Sequence, residues 1–392
     1  MNNFTYHAPT DFVFGKNAED QVAVMLQKYG AKKVLIHYGG GSVIKSGLLD
    51  RVEKYITDAN IPYVKLGGAQ PNPVDTLVYE GIDLCKKENI DFILAVGGGS
   101  AIDSAKAIAT GALYDGDFWD FFDGKPVEKA LKVATILTIP AAGSESSDSM
   151  VISKTQNVEV PLKRGSGGKA VVPVFSLLNP ELNYTLPAFQ TACGVSDIMA
   201  HVMERYFTTT QGVDLTDRLC ESILQTVIQW APVAVKEPNN YIARANITWA
   251  GTIAHNNSCG LGRDTDWASH KLEHELSALY DVAHGAGLAV IFPAWMTHVY
   301  TTDLDRFVQF ATRVWGVACK GNKEETALAG IAAIKDFFTS IGLPINFEEL
   351  GAKAEDIEKL TDMVMFNQGE SFGGFKKLFR DDAKAIYTLA SK

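Results

Sequence analysis

Short, continuously apolar runs take turns with amphipathic stretches through the first half of the chain. KKVLIHYG predicts a strand and LLDRVEKYITDANI a helix. PYVKLGG with PVDTLVYEGIDLCKKENI, then DFILAVGGG with SAIDSAKAIATGALY, repeat the pair, and VATILTIP predicts a further strand. Strand and helix in alternation give parallel pairing under crossover helices, the doubly wound α/β class. Parallel strands are buried on both faces, which accounts for the unbroken apolar runs VLI, FILAV and ATILTI. The next segment, SMVISKTQNVEVPLKRGSGGKAVVPVFSLLNP, carries several β-branched runs and is expected to be extended, with a loop at RGSGG. At Leu186 and Pro187 the period changes. AFQTACGVSDIMAHVMERYFTT, LTDRLCESILQTVIQWAPVAVK, NYIARANITWAGTIAHN and DTDWASHKLEHELSALY predict helices, and no strand alternation returns before Lys392. The expected organisation is an α/β domain over residues 1–186 followed by an all-helical domain over 187–392.

Composition narrows the class. A formal charge of −10 with no long basic run argues against a nucleic-acid partner. The cysteines, at 85, 193, 220, 259 and 319, are odd in number and widely spaced with no CxxC. That pattern fits free thiols in a reducing compartment. The start, MNNFTYHAPTDFVFG, shows no signal-peptide pattern, and the apolar stretch near GLAVIFPAWM is too short to span a bilayer. A cytoplasmic protein without a membrane partner is expected.

GGGS occurs at 39–42 and again at 97–100, each time after a buried strand and before a helix. Glycines let the backbone turn tightly and approach a ligand, and the next helix N-terminus favours a phosphate. A plain βα turn is the competing reading, with Ser100 capping the helix and Asp103 closing a capping box. A third turn, TIPAAGSESSDS at 138–149, follows another buried strand. It either lines a ligand cleft at the carboxyl ends of the strands or is a surface loop.

Three of eight histidines fall in HKLEHELSALYDVAHG, residues 270–285. His270 and His274 share a helical face. His284 would lie ~21 Å from His270 on one straight helix, whereas two imidazoles on one ion each need a nitrogen at ~2.1 Å from it. The chain must therefore break between them if both bind one ion, and YDVAHGAG, with Gly285 and Gly287, offers the break. Upstream, Asp197 and His201 form an i, i+4 pair. Two such segments together give an Asp-plus-three-His set suited to Zn²⁺ or Fe²⁺ rather than Ca²⁺ or Mg²⁺. Each pair alone is equally a helix-surface contact. His7, His37, His255 and His298 have no partner spacing and are read as structural.

GGGSAIDSAK, TIPAAGSES, DIMAHVMERY and HKLEHELSALYDVAHG resemble, in that order, the signatures of the iron-containing alcohol dehydrogenases. YGGGSVIKSGLLDRV resembles the butanol dehydrogenase-like branch, and the likeness runs through essentially the whole chain. The resemblance implies a Rossmann-like dinucleotide-binding domain and an all-helical domain of the dehydroquinate synthase-like kind. It implies Asp197, His201, His270 and His284 as ligands of Fe²⁺ (Zn²⁺ as the alternative), with His274 beside the metal as a catalytic candidate. It implies Gly97, Gly98, Gly99 and Ser100 as the pyrophosphate turn, Thr138, Ser147 and Lys163 along the cofactor, and a homodimer. Three positions depart from the pattern. AHG stands where Pro-His-Gly is usual, Ala142 where threonine is common, and Ser149 replaces a smaller residue.

The reaction implied is hydride transfer between NADP(H), or NAD(H), and a primary alcohol or aldehyde such as butanol or butanal. An acidic side chain near the adenosine ribose would repel a 2′-phosphate, and the GGGSVIK stretch has none. Gly40 leaves room there and Ser42 can bond a phosphate, so NADP(H) is favoured. Competing readings are a zinc-dependent polyol dehydrogenase of the glycerol type, a metal-dependent hydrolase, and a non-catalytic nucleotide-binding protein.

Overall fold

In a computed structural model, which describes residues 1–319 and 321–392, the chain forms two compact units. One is His7–Thr185, the other Leu186–Lys392 together with Met1–Tyr6. The first residues thus group with the helical unit rather than with the α/β half, where the sequence reading put them. The Met1 ammonium donates to the Gln211 carbonyl at 2.8 Å, and the Asn2 amide donates to the Gly262 carbonyl at 2.8 Å.

The α/β unit holds β1 (Asp11–Phe14), β2 (Val34–Gly39), β3 (Tyr63–Ala69), β4 (Phe92–Gly97), β5 (Lys132–Leu137) and β8 (Phe175–Leu178) in one parallel sheet. A separate antiparallel hairpin is made by β6 (Ser149–Lys154) and β7 (Leu162–Gly167). Its helices are α1 (Val22–Lys28), α2 (Gly41–Lys45), α3 (Leu48–Asp58), α4 (Asp75–Glu88) and α5 (Gly99–Ala112). Successive side chains of a strand point to opposite faces, and β4 shows what each face meets. Ile93 and Ala95 join a core cluster with Ile102 and Ile108 of α5. Phe92, Leu94 and Val96 join another with Val52 and Ile56 of α3.

The sheet order is β1-β8-β5-β4-β2-β3. From β2 the chain steps to β3 on one side, and β4 then returns on the other side of β2. The order therefore reverses between β2 and β4, the place where such sheets leave a crevice at the strands' carboxyl ends. Register pairs Tyr38 with Val96 and Gly97 with Leu137, so the turns after β2, β4 and β5 leave at one end. The two glycine turns are neighbours: a Cβ on Gly97 would lie 3.8 Å from the Gly39 nitrogen.

The expected loop at RGSGG is instead mostly strand. Ser166 pairs with Met150 and Arg164 with Ile152, and the chain reverses over 155–161, where Asn157 takes φ +58°. Glycine is there for close approach, since a Cβ on Gly167 would meet the Asp148 carbonyl oxygen at 2.1 Å. The short β1 and α1 have no counterpart in the sequence reading.

The helical unit contains α6 (Ala188–Tyr206), α7 (Asp214–Lys236), α8 (Tyr241–His255), α9 (Ala268–Tyr280) and α10 (His284–Val299). It continues with α11 (Leu304–Trp315), α12 (Lys323–Ser340), α13 (Phe347–Leu350), α14 (Ile357–Gln368) and α15 (Arg380–Ala390). From Gly285 to Met296 every residue of α10 is buried, as expected of a helix apolar on all sides. Among the described residues no helix is long and apolar enough to cross a membrane.

Candidate metal centre and cofactor turns

The break between His270 and His284 falls before the second histidine, not at the glycines after it. Asp281, at φ +51°, ends α9, and α10 begins at His284 itself. Gly285 and Gly287 sit inside α10, where they permit close contact. A Cβ on Gly285 would lie 2.0 Å from the Cys193 carbonyl oxygen of α6, and one on Gly287 would lie 2.6 Å from a Glu273 carboxylate oxygen.

This geometry brings together the four side chains singled out in the sequence, from three helices. Asp197 Oδ1 lies 3.1 Å from His201 Nδ1, 3.8 Å from His270 Nε2 and 3.9 Å from His284 Nε2. Asp197, His201 and His270 are buried, and one candidate ligand atom from each lies within 4.8 Å of the others. Asp197 Oδ1, His201 Nδ1 and His270 Nε2 have no hydrogen-bond partner among the described residues. Buried polar atoms are normally satisfied. Three orphaned polar atoms facing one point fit a cation, which would displace any proton on the His270 nitrogen, and the N/O donor set suits Fe²⁺ or Zn²⁺.

Two carboxylates that the sequence reading passed over complete the centre. Glu204, on the Asp197 and His201 face of α6, accepts from His270 Nδ1 at 3.0 Å. It also accepts from the backbone amides of Trp267 and His270 at 2.7 and 3.0 Å. It thereby serves the free N–H groups at the start of α9, whose own N-cap residue provides no side-chain bond. Glu273 accepts from His284 Nδ1 and from the Ser277 hydroxyl. Each pairing fixes a tautomer that turns Nε2 toward the centre, the usual outer-shell arrangement of metal-binding histidines. The legible signals were i, i+7 from Asp197 for Glu204 and i, i+3 from His270 for Glu273.

Electrostatics divides the histidines. Burial, helped by His255, His270 and Arg205, pushes the His201 pKa well below 6.5, so its lone pair is available. Burial also works against a charged His270, but the Asp197 and Glu204 carboxylates outweigh it and hold the pKa at about 9. His274 is half-buried one turn beyond His270, its ring centroid 5.7 Å from that of His284. His255, read as structural, stands against the centre, its ring 4.1 Å from His201 and its Nδ1 accepting from Arg205 at 3.1 Å.

In the α/β unit, Gly97 ends β4 and Gly98 precedes α5. The capping-box reading does not hold. Ser100 lies inside the helix, Gly98 offers no side-chain cap, and Asp103 accepts instead from the Ser144 hydroxyl at 2.5 Å and the Val151 amide at 2.9 Å. The first amides of α5 thus lack the side-chain cap that Asn240 gives α8 or Asn322 gives α12, which suits an anionic ligand. The glycines also fit the turn against β5's loop, since a Cβ on Gly98 would meet Ile139 at 2.9 Å and one on Gly99 would meet Ala142 at 3.0 Å. Thr138 follows β5, and its amide donates to the Gly97 carbonyl at 3.0 Å. Ser147 is turned inward, its Oγ 3.4 Å from Lys106 Nζ. Lys163, on β7, donates to Asn72 Oδ1 at 3.1 Å. Gly40 and Ser42 are exposed at the turn after β2, and a Cβ on Gly40 would meet nothing within 4 Å.

A doubly wound sheet with glycine turns at its switch point, joined to helices that gather three histidines and an aspartate, defines a metal-dependent, dinucleotide-using oxidoreductase. The chain belongs to the iron-containing alcohol dehydrogenase family. The family description "Iron-containing alcohol dehydrogenase" matches residues 9–180, and "Fe-containing alcohol dehydrogenase family, C-terminal" matches 191–391. The chain is similar to NADH-dependent butanol dehydrogenase A of Clostridium acetobutylicum, at 39% identity over 389 residues and 99% of each chain. It is also similar to the NADPH-dependent aldehyde reductase YqhD of Escherichia coli, at 36% identity over 394 residues and 100% of each. The crystal structure of NADH-dependent butanol dehydrogenase A from Thermotoga maritima superposes with a TM-score of 0.96 at 39% identity, covering 100% of this chain and 99% of that one. The glycerol-type polyol alternative is not favoured by these likenesses.

Proposed function

We propose that the protein interconverts medium-chain primary alcohols and their aldehydes, butanol and butanal among them. In this reading it uses NADP(H) and an Fe²⁺ ion held by Asp197, His201, His270 and His284. The observation that carries it is the convergence of three orphaned, buried polar atoms from α6 and α9 on one point, with His284 Nε2 of α10 3.9 Å from the Asp197 oxygen among them. When bound, the ion polarises the substrate oxygen and the nicotinamide carries the hydride.

The chain's own groups do the rest. Glu204 and Glu273 hold the imidazoles of His270 and His284 with Nε2 inward. Burial of Asp197, His201 and His270 keeps water from their lone pairs. His274 is a proton relay or a positioning group beside them. Residues 97–100 take the pyrophosphate on the start of α5, and Thr138, Ser147 and Lys163 border the coenzyme. For the adenosine end, no carboxylate stands between Tyr38 and Lys45. Lys45 folds back over the turn, its Nζ 3.8 Å from where a Gly41 Cβ would be. That favours a 2′-phosphate. The named relatives include users of either coenzyme. We place the enzyme in the cytoplasm as a homodimer; its cysteines are unpaired, and light scattering reads the oligomer.

The test is coenzyme oxidation with a panel of aldehydes, on chelator-stripped protein and after restoring Fe²⁺ or Zn²⁺. Aldehyde-dependent oxidation that vanishes on stripping and returns with metal is expected, fastest with NADPH. Full activity in stripped protein overturns the metal reading, and a clear preference for NADH overturns the coenzyme choice. In the same assay, His274→Ala should shift the pH profile of turnover; an unchanged profile removes its proposed role.

A further inference from the structure

We infer that Arg205 and His255 are positioning residues for His201: with Trp267 they hold its imidazole at the metal point, in place of the carboxylate that holds each of the other two histidines. The inference deepens the proposed function and rests on its reading of His201 as a ligand. His270 and His284 are each fixed by an anion, Glu204 and Glu273 respectively. His201 turns Nδ1 to Asp197, and among the described residues no carboxylate accepts from its other nitrogen. Its ring must still be oriented, because metal affinity depends on the groups that fix a ligating imidazole.

Arg205 stands one turn after His201 on α6 and is buried. One guanidinium nitrogen donates to the His201 carbonyl at 2.7 Å and another to His255 Nδ1 at 3.1 Å. Its Cζ lies 4.6 Å from the centre of the Trp267 ring, a cation–π contact. The guanidinium is always charged, and its planar fork fixes the groups it bonds. Because His255 Nδ1 accepts, the His255 proton sits on Nε2, and turning the ring would break the bond to Arg205. That ring lies 4.1 Å from the His201 ring, centroid to centroid. With its lone pair engaged by Arg205, His255 supports His201 rather than adding a fifth ligand. Trp267 supplies a further wall, its ring 6.0 Å from His201 and 5.3 Å from His270. Its backbone takes φ +68°, a left-handed conformation that a bulky residue rarely adopts. Such strain persists only where the surroundings impose it. Here Glu204 accepts from the Trp267 amide at 2.7 Å and the Thr265 hydroxyl from its indole N–H at 2.8 Å. The strained turn aims the indole at two candidate ligands. A cation thus stands behind His201, which is held without the added basicity that a carboxylate partner gives.

Chelator-stripped, full-length protein is titrated with Zn²⁺ in competition with a chromophoric chelator, and the visible bands of the Co²⁺-loaded form are recorded. Arg205→Met and His255→Ala should each weaken Zn²⁺ binding about tenfold, as loss of a partner that fixes a ligating imidazole implies. Both should shift the Co²⁺ bands. His255→Phe, which returns a ring against His201, should recover part of the lost affinity. The Kd for NADPH, read by fluorescence, should stay at the wild-type value in all three. Zn²⁺ affinity within about twofold of wild type in His255→Ala, or unmoved Co²⁺ bands, overturns the inference. A loss in His255→Phe as large as in His255→Ala also overturns it, because the His255 nitrogen would then be the contributor. Coenzyme binding that falls in step with metal binding overturns it as well, by showing general damage. Should Arg205→Met not fold, the two His255 variants decide. Wild-type protein that binds no Zn²⁺, or His201→Ala with wild-type affinity, would instead sink the ligand reading on which the inference rests.

Discussion

His37 shows at the scale of one residue why a histidine outside the candidate metal centre still matters. It is fully buried on β2. Its Nδ1 donates to the Leu66 carbonyl at 3.0 Å, and its Nε2 accepts from the Ser104 hydroxyl at 3.0 Å. Burial disfavours the imidazolium and lowers the pKa from 6.5 to about 4, with the Leu66 bond opposing. Between about 4 and 6.5 the unfolded chain therefore binds more protons than the folded one, so stability falls as pH falls through that window. The interval corresponds to roughly 3 kcal/mol. Urea unfolding across this pH range should show the slope in wild type and a flatter one in His37→Gln. Equal slopes would assign the acid sensitivity elsewhere.

At the scale of elements, the candidate metal centre depends on how closely α10 can approach α6. Gly285 lies one residue after His284, and a Cβ there would meet the Cys193 backbone at 2.0 to 2.8 Å. Cys193 is one turn before Asp197 on α6. Neither backbone can yield without moving a candidate ligand, so Gly285→Ala should separate His284 from Asp197. The expected cost is about 2 kcal/mol in stability, within the range for overpacked interiors, with metal affinity weakened. Chemical denaturation and metal titration read the two effects. An unchanged midpoint with full metal content would show that the contact relaxes harmlessly.

For the whole molecule, the division of labour predicts where metal linkage is felt. All four candidate ligands lie in the helical unit, as do Trp230, Trp249, Trp267, Trp295 and Trp315, five of the six tryptophans. Tryptophan fluorescence therefore reports chiefly on that unit. A metal that binds only the folded state stabilises it by about 4 kcal/mol when free metal is 1,000 times Kd. Chelation should lower the unfolding midpoint seen by tryptophan emission, and added Fe²⁺ should restore it. A midpoint indifferent to verified metal removal would count against the centre.

Periodicity and local chemistry determined much of this by themselves. Apolar runs such as FILAV marked parallel strands because burial on two faces leaves no room for alternation. The i, i+4 spacing of Asp197 and His201 marked one helical face, and helix rise alone showed that His270 and His284 needed a break. Tertiary structure decided what pairwise spacing cannot encode. The break lies ahead of His284, because Gly285 and Gly287 are spent on contacts with Cys193 and Glu273, which become neighbours only after folding. RGSGG became strand because its hairpin partner, β6, accepts it. Glu204 serves a helix start more than sixty residues away, and Lys106 meets carbonyls some forty residues on. Local pattern records which face a side chain takes. Only the packed chain specifies which distant group completes a hydrogen bond or confronts a lone pair.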